Sequence, residues 1–235
     1  MRVVRFNFMF CVLVCAVFCS AVCNAQNGKE ENSDKFVYAD FETVKDNRPI
    51  SNHGGMIQIF TYQENPSMTG KIKGLSGANP PAPELVRLSK DDPNRVATFE
   101  YELLASNQYA GVTLEIQGEP EKDGKPVAND LSEYKYLMVQ IYEVGVSYMR
   151  VEIVSKGQGI NIPVGYPQTT FKVSSGFNTY KLPLKSMAQP GWVQDKVNTK
   201  DVLKKLTSVN ISVYCEGGCT PYRGTVVVDN VVFTK

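Results

Sequence analysis

Paired carboxylates are the first groups in this sequence that could do chemistry. Glu100 and Glu102, or Glu115 with Glu152, are the pairs that acid–base hydrolysis of a glycosidic bond would need. Each of these glutamates alternates with apolar neighbours, as in Phe99-Glu100-Tyr101-Glu102-Leu103, and such a pattern reads as the solvated face of a strand. His53 is the single histidine, and it lies in an Asn-His-Gly-Gly turn with no nucleophile beside it, so a histidine-based triad has no support. The sequence has neither metal-ligand His/Cys spacing, nor a phosphate-binding glycine loop, nor a dinucleotide fingerprint. These readings lean away from an enzyme.

The six cysteines divide by position. Cys11, Cys15, Cys19 and Cys23 fall in an N-terminal apolar run, and Cys215 and Cys219 stand near the other end. Arg2 and Arg5 precede that run, and Cys23-Asn24-Ala25 follows it, which is the order of a cleavable secretory signal over residues 1–25 with Gln26 as the new terminus. The run is broken by Asn7 and Ser20 and is shorter than the roughly 20 apolar residues of a spanning helix. The implied localisation is secreted or periplasmic, with no membrane span after cleavage. In an oxidising compartment the two remaining cysteines are expected to pair, and the glycines of Cys-Glu-Gly-Gly-Cys permit the tight turn a Cys215–Cys219 disulfide requires. A redox dithiol usually has a two-residue spacing at a helix start, which is absent here.

Lys and Arg total 25 against 24 Asp and Glu, so no basic excess points to nucleic acid or an anionic membrane. Residues 26–35 are polar without apolar period and read as a disordered leader. From 36 to 235 the chain is expected to form one domain. Short runs of period two recur: Phe36–Phe41, Met56–Tyr62, Val96–Leu104, then runs centred on Leu114, Val139, Val151, Phe171, Leu182, Ile211 and Val228. Residues 63–95, rich in Pro and Gly, read as a long excursion with at most a short strand at Leu85-Val86. Only Thr199–Leu206 looks helical, with Thr199 as its cap. Turn-separated strands with one apolar face predict an all-β antiparallel sandwich with one short helix.

Several segments in order carry a resemblance. They are Asp40-Phe41-Glu42, Asn52-His53-Gly54-Gly55, Asp130-Leu131-Ser132-Glu133-Tyr134, the strand entry Phe177–Leu184, a loop with Trp192, and Gly224–Phe233. Over about residues 36–235 this order resembles the galactose-binding-like jelly rolls, closest to family-11-type carbohydrate-binding modules and the related complex I intermediate-associated domains. The resemblance implies a jelly-roll β-sandwich and a polysaccharide or glycan as partner, bound across the concave sheet. A jelly roll brings its first and last strands together, so Asp40 and Glu42 would approach Asp229. Carboxylates gathered beside backbone carbonyls suit calcium, and the resemblance implies a structural Ca2+ there.

Strand parity then gives a candidate face. With Leu137, Val139 and Ile141 inward, Gln140 and Tyr142 point outward; with Met149, Val151 and Ile153 inward, Arg150 and Glu152 point outward; on the next-to-last strand Tyr214 does. Aromatic rings pack on sugar rings while a guanidinium, a carboxylate and amides bond their hydroxyls. Arg150 and Glu152 resemble the family's Arg-x-Asp pair, with Glu in place of Asp. Trp192, after Pro190-Gly191, is a candidate for the rim. Free-standing after its signal, the chain fits an exported non-catalytic glycan-binding module. The alternative is an envelope or filament-sheath subunit whose protein partner uses the same sandwich.

Overall fold

A computed structural model describes residues 34–62, 71–105, 107–116, 127–143, 145, 148–214 and 222–235. Two antiparallel sheets face each other. One is built from β1 (Lys35–Ala39), β5 (Lys71–Lys73), β6 (Glu84–Val86), β7 (Val96–Leu103), β9 (Tyr136–Glu143), β12 (Asn178–Pro183) and β14 (Tyr222–Thr234). The other runs β11 (Gln168–Lys172), β10 (Tyr148–Val154), β13 (Ser208–Tyr214), β8 (Tyr109–Glu115) and β4 (Ile57–Tyr62), in that spatial order. A small ribbon pairs β2 (Val44–Lys45) with β3 (Arg48–Pro49). Its two-residue turn, Asp46-Asn47, has φ of 51° and 61°, the left-handed pair that such a turn demands and that Asp and Asn tolerate.

The alternation decides which atoms are inside. Leu137, Val139 and Ile141 of β9, Met149, Val151 and Ile153 of β10, and Val209, Ile211 and Val213 of β13 are all fully buried. Burying a side chain of this size is worth about 1.5–3 kcal/mol, and a one-residue slip would turn a whole row outward. Register is therefore strongly held. Tyr38 reaches across the sandwich, its hydroxyl donating to the Leu114 carbonyl at 2.9 Å.

The expected closure is present. β14 pairs with β7 over Tyr222–Val228, then with β1 through Phe36↔Phe233 and Lys35↔Thr234. At the hand-over β14 breaks register with β9 between Asp229 and Val232, and Asn230 takes a φ of 46°. Asp229 thus sits at the irregularity where the strand changes partner.

Three local expectations change. The excursion after residue 62 contains β5 as well as β6, because Lys71-Ile72-Lys73 finds a partner in the exposed edge of β7. The helix α1 (Thr199–Leu203) is capped by Asn198, whose side chain accepts from the Lys200 amide at 2.8 Å, and the Thr199 hydroxyl instead donates to the Met187 carbonyl at 2.8 Å. β1 begins one residue before Phe36, since Lys35 still pairs with Thr234. The signal and most of the leader lie outside the described residues, as do Cys215 and Cys219. Among the described residues no helix is long and apolar enough to cross a membrane.

Candidate functional site

Three rungs cross the outer face of the five-stranded sheet. In the first, Tyr62, Tyr109 and Tyr214 stand on directly paired positions of β4, β8 and β13. The rings of Tyr62 and Tyr109 stack with centroids 4.7 Å apart and planes 14° from parallel. In the second, Phe60, Gly111, Ser212, Arg150 and Thr170 are aligned. In the third stand Gln58, Thr113, Asn210, Glu152 and Gln168.

The middle rung is the floor. A Cβ on Gly111 would lie 2.3 Å from the Ile211 carbonyl oxygen and 2.7 Å from the Ser212 Cβ, so only glycine allows this close approach of β8 and β13. Gly111 and Ser212 are the small, buried members of this rung. The Arg150 guanidinium carbon lies 4.5 Å from the Tyr109 ring centroid and 4.7 Å from that of Tyr214, within the cation–π range. On its other side Nε is 3.4 Å from Glu152 Oε1. Glu152 Oε2 accepts from Asn210 Nδ2 at 3.1 Å, and Asn210 Oδ1 accepts from the Thr113 hydroxyl at 2.9 Å.

Electrostatics sharpen the picture. Tyr109 is pushed up to about 12, first by burial and then by the Glu152 charge, against which Arg150 works. Its hydroxyl remains protonated across the neutral range. Burial also raises Tyr166, with Glu152 adding to the effect. Arg150 is 8% exposed, yet its Nε and Nη2 have no hydrogen-bond partner among the described residues, and neither does the buried Ser212 hydroxyl. Of six such atoms among the described residues, three therefore lie on this one rung. Buried donors are normally satisfied, so unmet hydrogen-bonding capacity is concentrated on this rung.

The face opens into a groove of about 1030 Å³. Loops carrying Gly165 and Trp192 rim it, with Trp192 65% exposed. Gln189 ties these loops, donating to the Gly165 carbonyl at 2.8 Å and accepting from the Val197 amide at 2.6 Å.

The structure brings together four of the six residues singled out from sequence: Arg150, Glu152, Tyr214 and Trp192. Gln140 and Tyr142 are a correction. They do point outward, but from β9, which belongs to the other sheet. There Gln140 accepts from Asn230 at 2.9 Å, and Tyr142 is aligned with Val227. β9 and β10 are consecutive in sequence, yet the chain passes from one sheet to the other between them. Sequence reasoning missed Tyr109, which packs on Arg150, and with it Tyr62, which stacks on Tyr109, and Thr113, which bonds Asn210. The parity of Ile57/Ile59 and of Val112/Leu114 would have turned them outward, but nothing local says that β8 and β4 extend the sheet of β10.

Glu100 and Glu102 also point from that other sheet, paired with Lys73 and with Lys71 and Arg223. Glu102 is held below its usual range by bonds from Lys71 and Arg223.

Asp40 and Glu42, just after β1, lie close enough to Asp229 of β14 for their charges to act on it. Asp40 accepts from the Glu42 amide at 3.0 Å and from Asn52 Nδ2 at 2.9 Å. Glu42 is engaged by Arg95, at 3.2 Å through Nε. Asp229 Oδ2 accepts from Asn94 at 3.0 Å and Asn230 at 2.8 Å, while Oδ1 is buried without a donor. Burial raises the Asp229 carboxyl, and the charges of Glu42 and Asp40 add to this. Among the described residues no three acidic, His or Cys side chains converge as a ready ligand set. Of these three carboxylates Asp229 alone keeps an oxygen, Oδ1, without a donor, since Asn52 and the Glu42 amide occupy Asp40 and Arg95 occupies Glu42.

No protein-family model and no curated protein matches the sequence. Solved structures do match the fold. A family 11 carbohydrate-binding module from Clostridium thermocellum, in complex with a β-1,3-1,4-mixed-linked tetrasaccharide, superposes with a TM-score of 0.53 at 15% identity, covering 86% of this chain and 95% of that one. The family 11 module of a cellulosomal cellulase of Clostridium thermocellum gives 0.53 at 13% identity, covering 85% and 94%. The chain has the jelly-roll fold of carbohydrate-binding modules.

Proposed function

We propose that this chain is an exported, non-catalytic module that holds a neutral polysaccharide in the groove across its five-stranded sheet. The observation that carries the reading is the Arg150 rung. A guanidinium clamped between two tyrosine rings, with donors left over and a carboxylate beside it, offers a pair of vicinal hydroxyls both donor and acceptor. Tyr62 and Trp192 supply aromatic area at the edge for sugar rings. Arg150 and Glu152 are the charged groups among the described lining residues and oppose each other, which favours an uncharged ligand. That lining supplies one carboxylate, whereas glycoside hydrolysis uses two.

The tetrasaccharide bound by the structural neighbour suggests the first probe. The protein is expected to be retarded in native gels containing mixed-linkage β-glucan or another polysaccharide of a glycan panel. An empty panel, together with retention of a protein partner from an envelope fraction, would overturn the reading in favour of a protein-interaction subunit. Export itself is tested by N-terminal sequencing, with Gln26 expected first, and the Cys215–Cys219 bridge by thiol titration before and after reduction.

Calcium is part of the same proposal. Asp229, with Asp40 and Glu42, would hold it at the β1–β14 seam, where it would neutralise a buried carboxylate and tie the first strand to the last.

A further inference from the structure

A second cavity of about 400 Å³ lies at the end of the other sheet, within the size range of small-ligand pockets, and shares no lining residue with the groove. Three segments form its walls: the entry to β9, the end of β12, and α1. They are fixed to one another by backbone bonds, with the Leu184 amide donating to the Lys135 carbonyl and the Leu131 amide to the Leu203 carbonyl, each at 2.9 Å. The shape is thus set without a ligand. Leu184 and Leu203 are buried beneath it, and Tyr134 and Tyr136 add aromatic lining. Ser132 and Thr199 add hydroxyls.

The charges are one-sided. Lys135, Lys185 and Lys200 line the cavity, and among the described residues no carboxylate does. Nearby acids are committed elsewhere: Glu133 to Lys235 at 3.3 Å, Asp201 to Lys204 at 3.1 Å, and Asp130 to the Ser132 amide at 3.0 Å. Neither Lys135 nor Lys185 has an ion-pair partner among the described residues, and Lys200 acts on Asp130 only through space. Three exposed lysines lining an apolar, hydroxyl-bearing hollow of this size would select by both charge and shape.

We propose that this cavity is a second binding site, for a sugar-sized anion bearing a carboxylate, phosphate ester or sulfate ester. The test titrates the purified protein at low ionic strength with glucuronate, glucose 6-phosphate, glucose 6-sulfate, inorganic phosphate and glucose, following amide shifts by NMR. Shifts are expected to cluster at 134–136, 184–185 and 199–203. The charged sugars should bind about tenfold more tightly than glucose, as three exposed charge contacts of ordinary strength together supply. Inorganic phosphate should bind more weakly than glucose 6-phosphate, since it leaves the apolar lining unused, and the three charged sugars together rank the anion. Combined Lys135→Ala, Lys185→Ala and Lys200→Ala should remove the preference. Replacing Lys45, Lys90 and Lys172 by alanine removes the same charge elsewhere and should leave it intact. Equal binding of glucose and glucuronate, shifts at other positions, or a preference that survives loss of the three lining lysines would overturn the proposal.

Discussion

Replacing Arg150 by lysine separates recognition from folding. Arg150→Ala would leave Glu152, 7% exposed, without its counter-charge, and breaking a buried pair in that way typically costs about 3–5 kcal/mol of stability. Lysine keeps a cation for Glu152 but loses the planar fork that lies between Tyr109 and Tyr214, and with it the Nη2 donor left free for a ligand. One hydrogen bond from a charged donor is worth about 1.5–3 kcal/mol, so glycan affinity should fall by roughly 10- to 150-fold. Stability should change by no more than about 1 kcal/mol, or about 2–4 °C in melting temperature for a domain of this size. Calorimetric titration with the best-bound oligosaccharide and a melting curve on the same sample read both quantities. Binding within about twofold of the parent, at an unchanged melting temperature, would refute the role assigned to the Arg150 rung.

Other outcomes follow from placement. Tyr62→Ala should weaken glycan binding by about 1 kcal/mol, roughly fivefold, whereas Tyr142→Ala, on the opposite sheet, should leave it unchanged in the same affinity gels. Gly111→Ala forces a Cβ against the Ile211 carbonyl and should cost about 1–3 kcal/mol, a drop of about 2–12 °C in melting temperature. Asp229 has its carboxyl raised in the fold, so the folded chain holds that proton more tightly than the unfolded one. The resulting stabilisation is full below the ordinary carboxyl range near about 4 and is lost as pH rises through the raised value. Asp229→Asn should therefore flatten the fall of the metal-free melting temperature between that range and neutrality. At neutral pH, calcium should raise the melting temperature of the parent and chelator should reverse it; neither should move the Asn variant.

Local pattern determined much of this protein. The alternation in Met149–Ile153 put Arg150 and Glu152 on one face and Val151 inside, because side chains on a strand alternate irrespective of what the strand pairs with. The ordered motifs at the two ends anticipated the β1–β14 closure that brings Asp40 near Asp229. Tertiary structure decided which strands lie side by side. β10 took β11 and β13 as neighbours rather than β9, which preceded it, so Tyr142 left the expected face while Tyr62 and Tyr109, far away in sequence, joined it. Pairing between distant strands depends on the packing of two whole sheets, and no period within a single segment encodes that choice. The Arg150 rung is the clearest case: the arginine was legible in its own strand, but the glycine and the tyrosines around it came from strands the sequence alone could not place beside it.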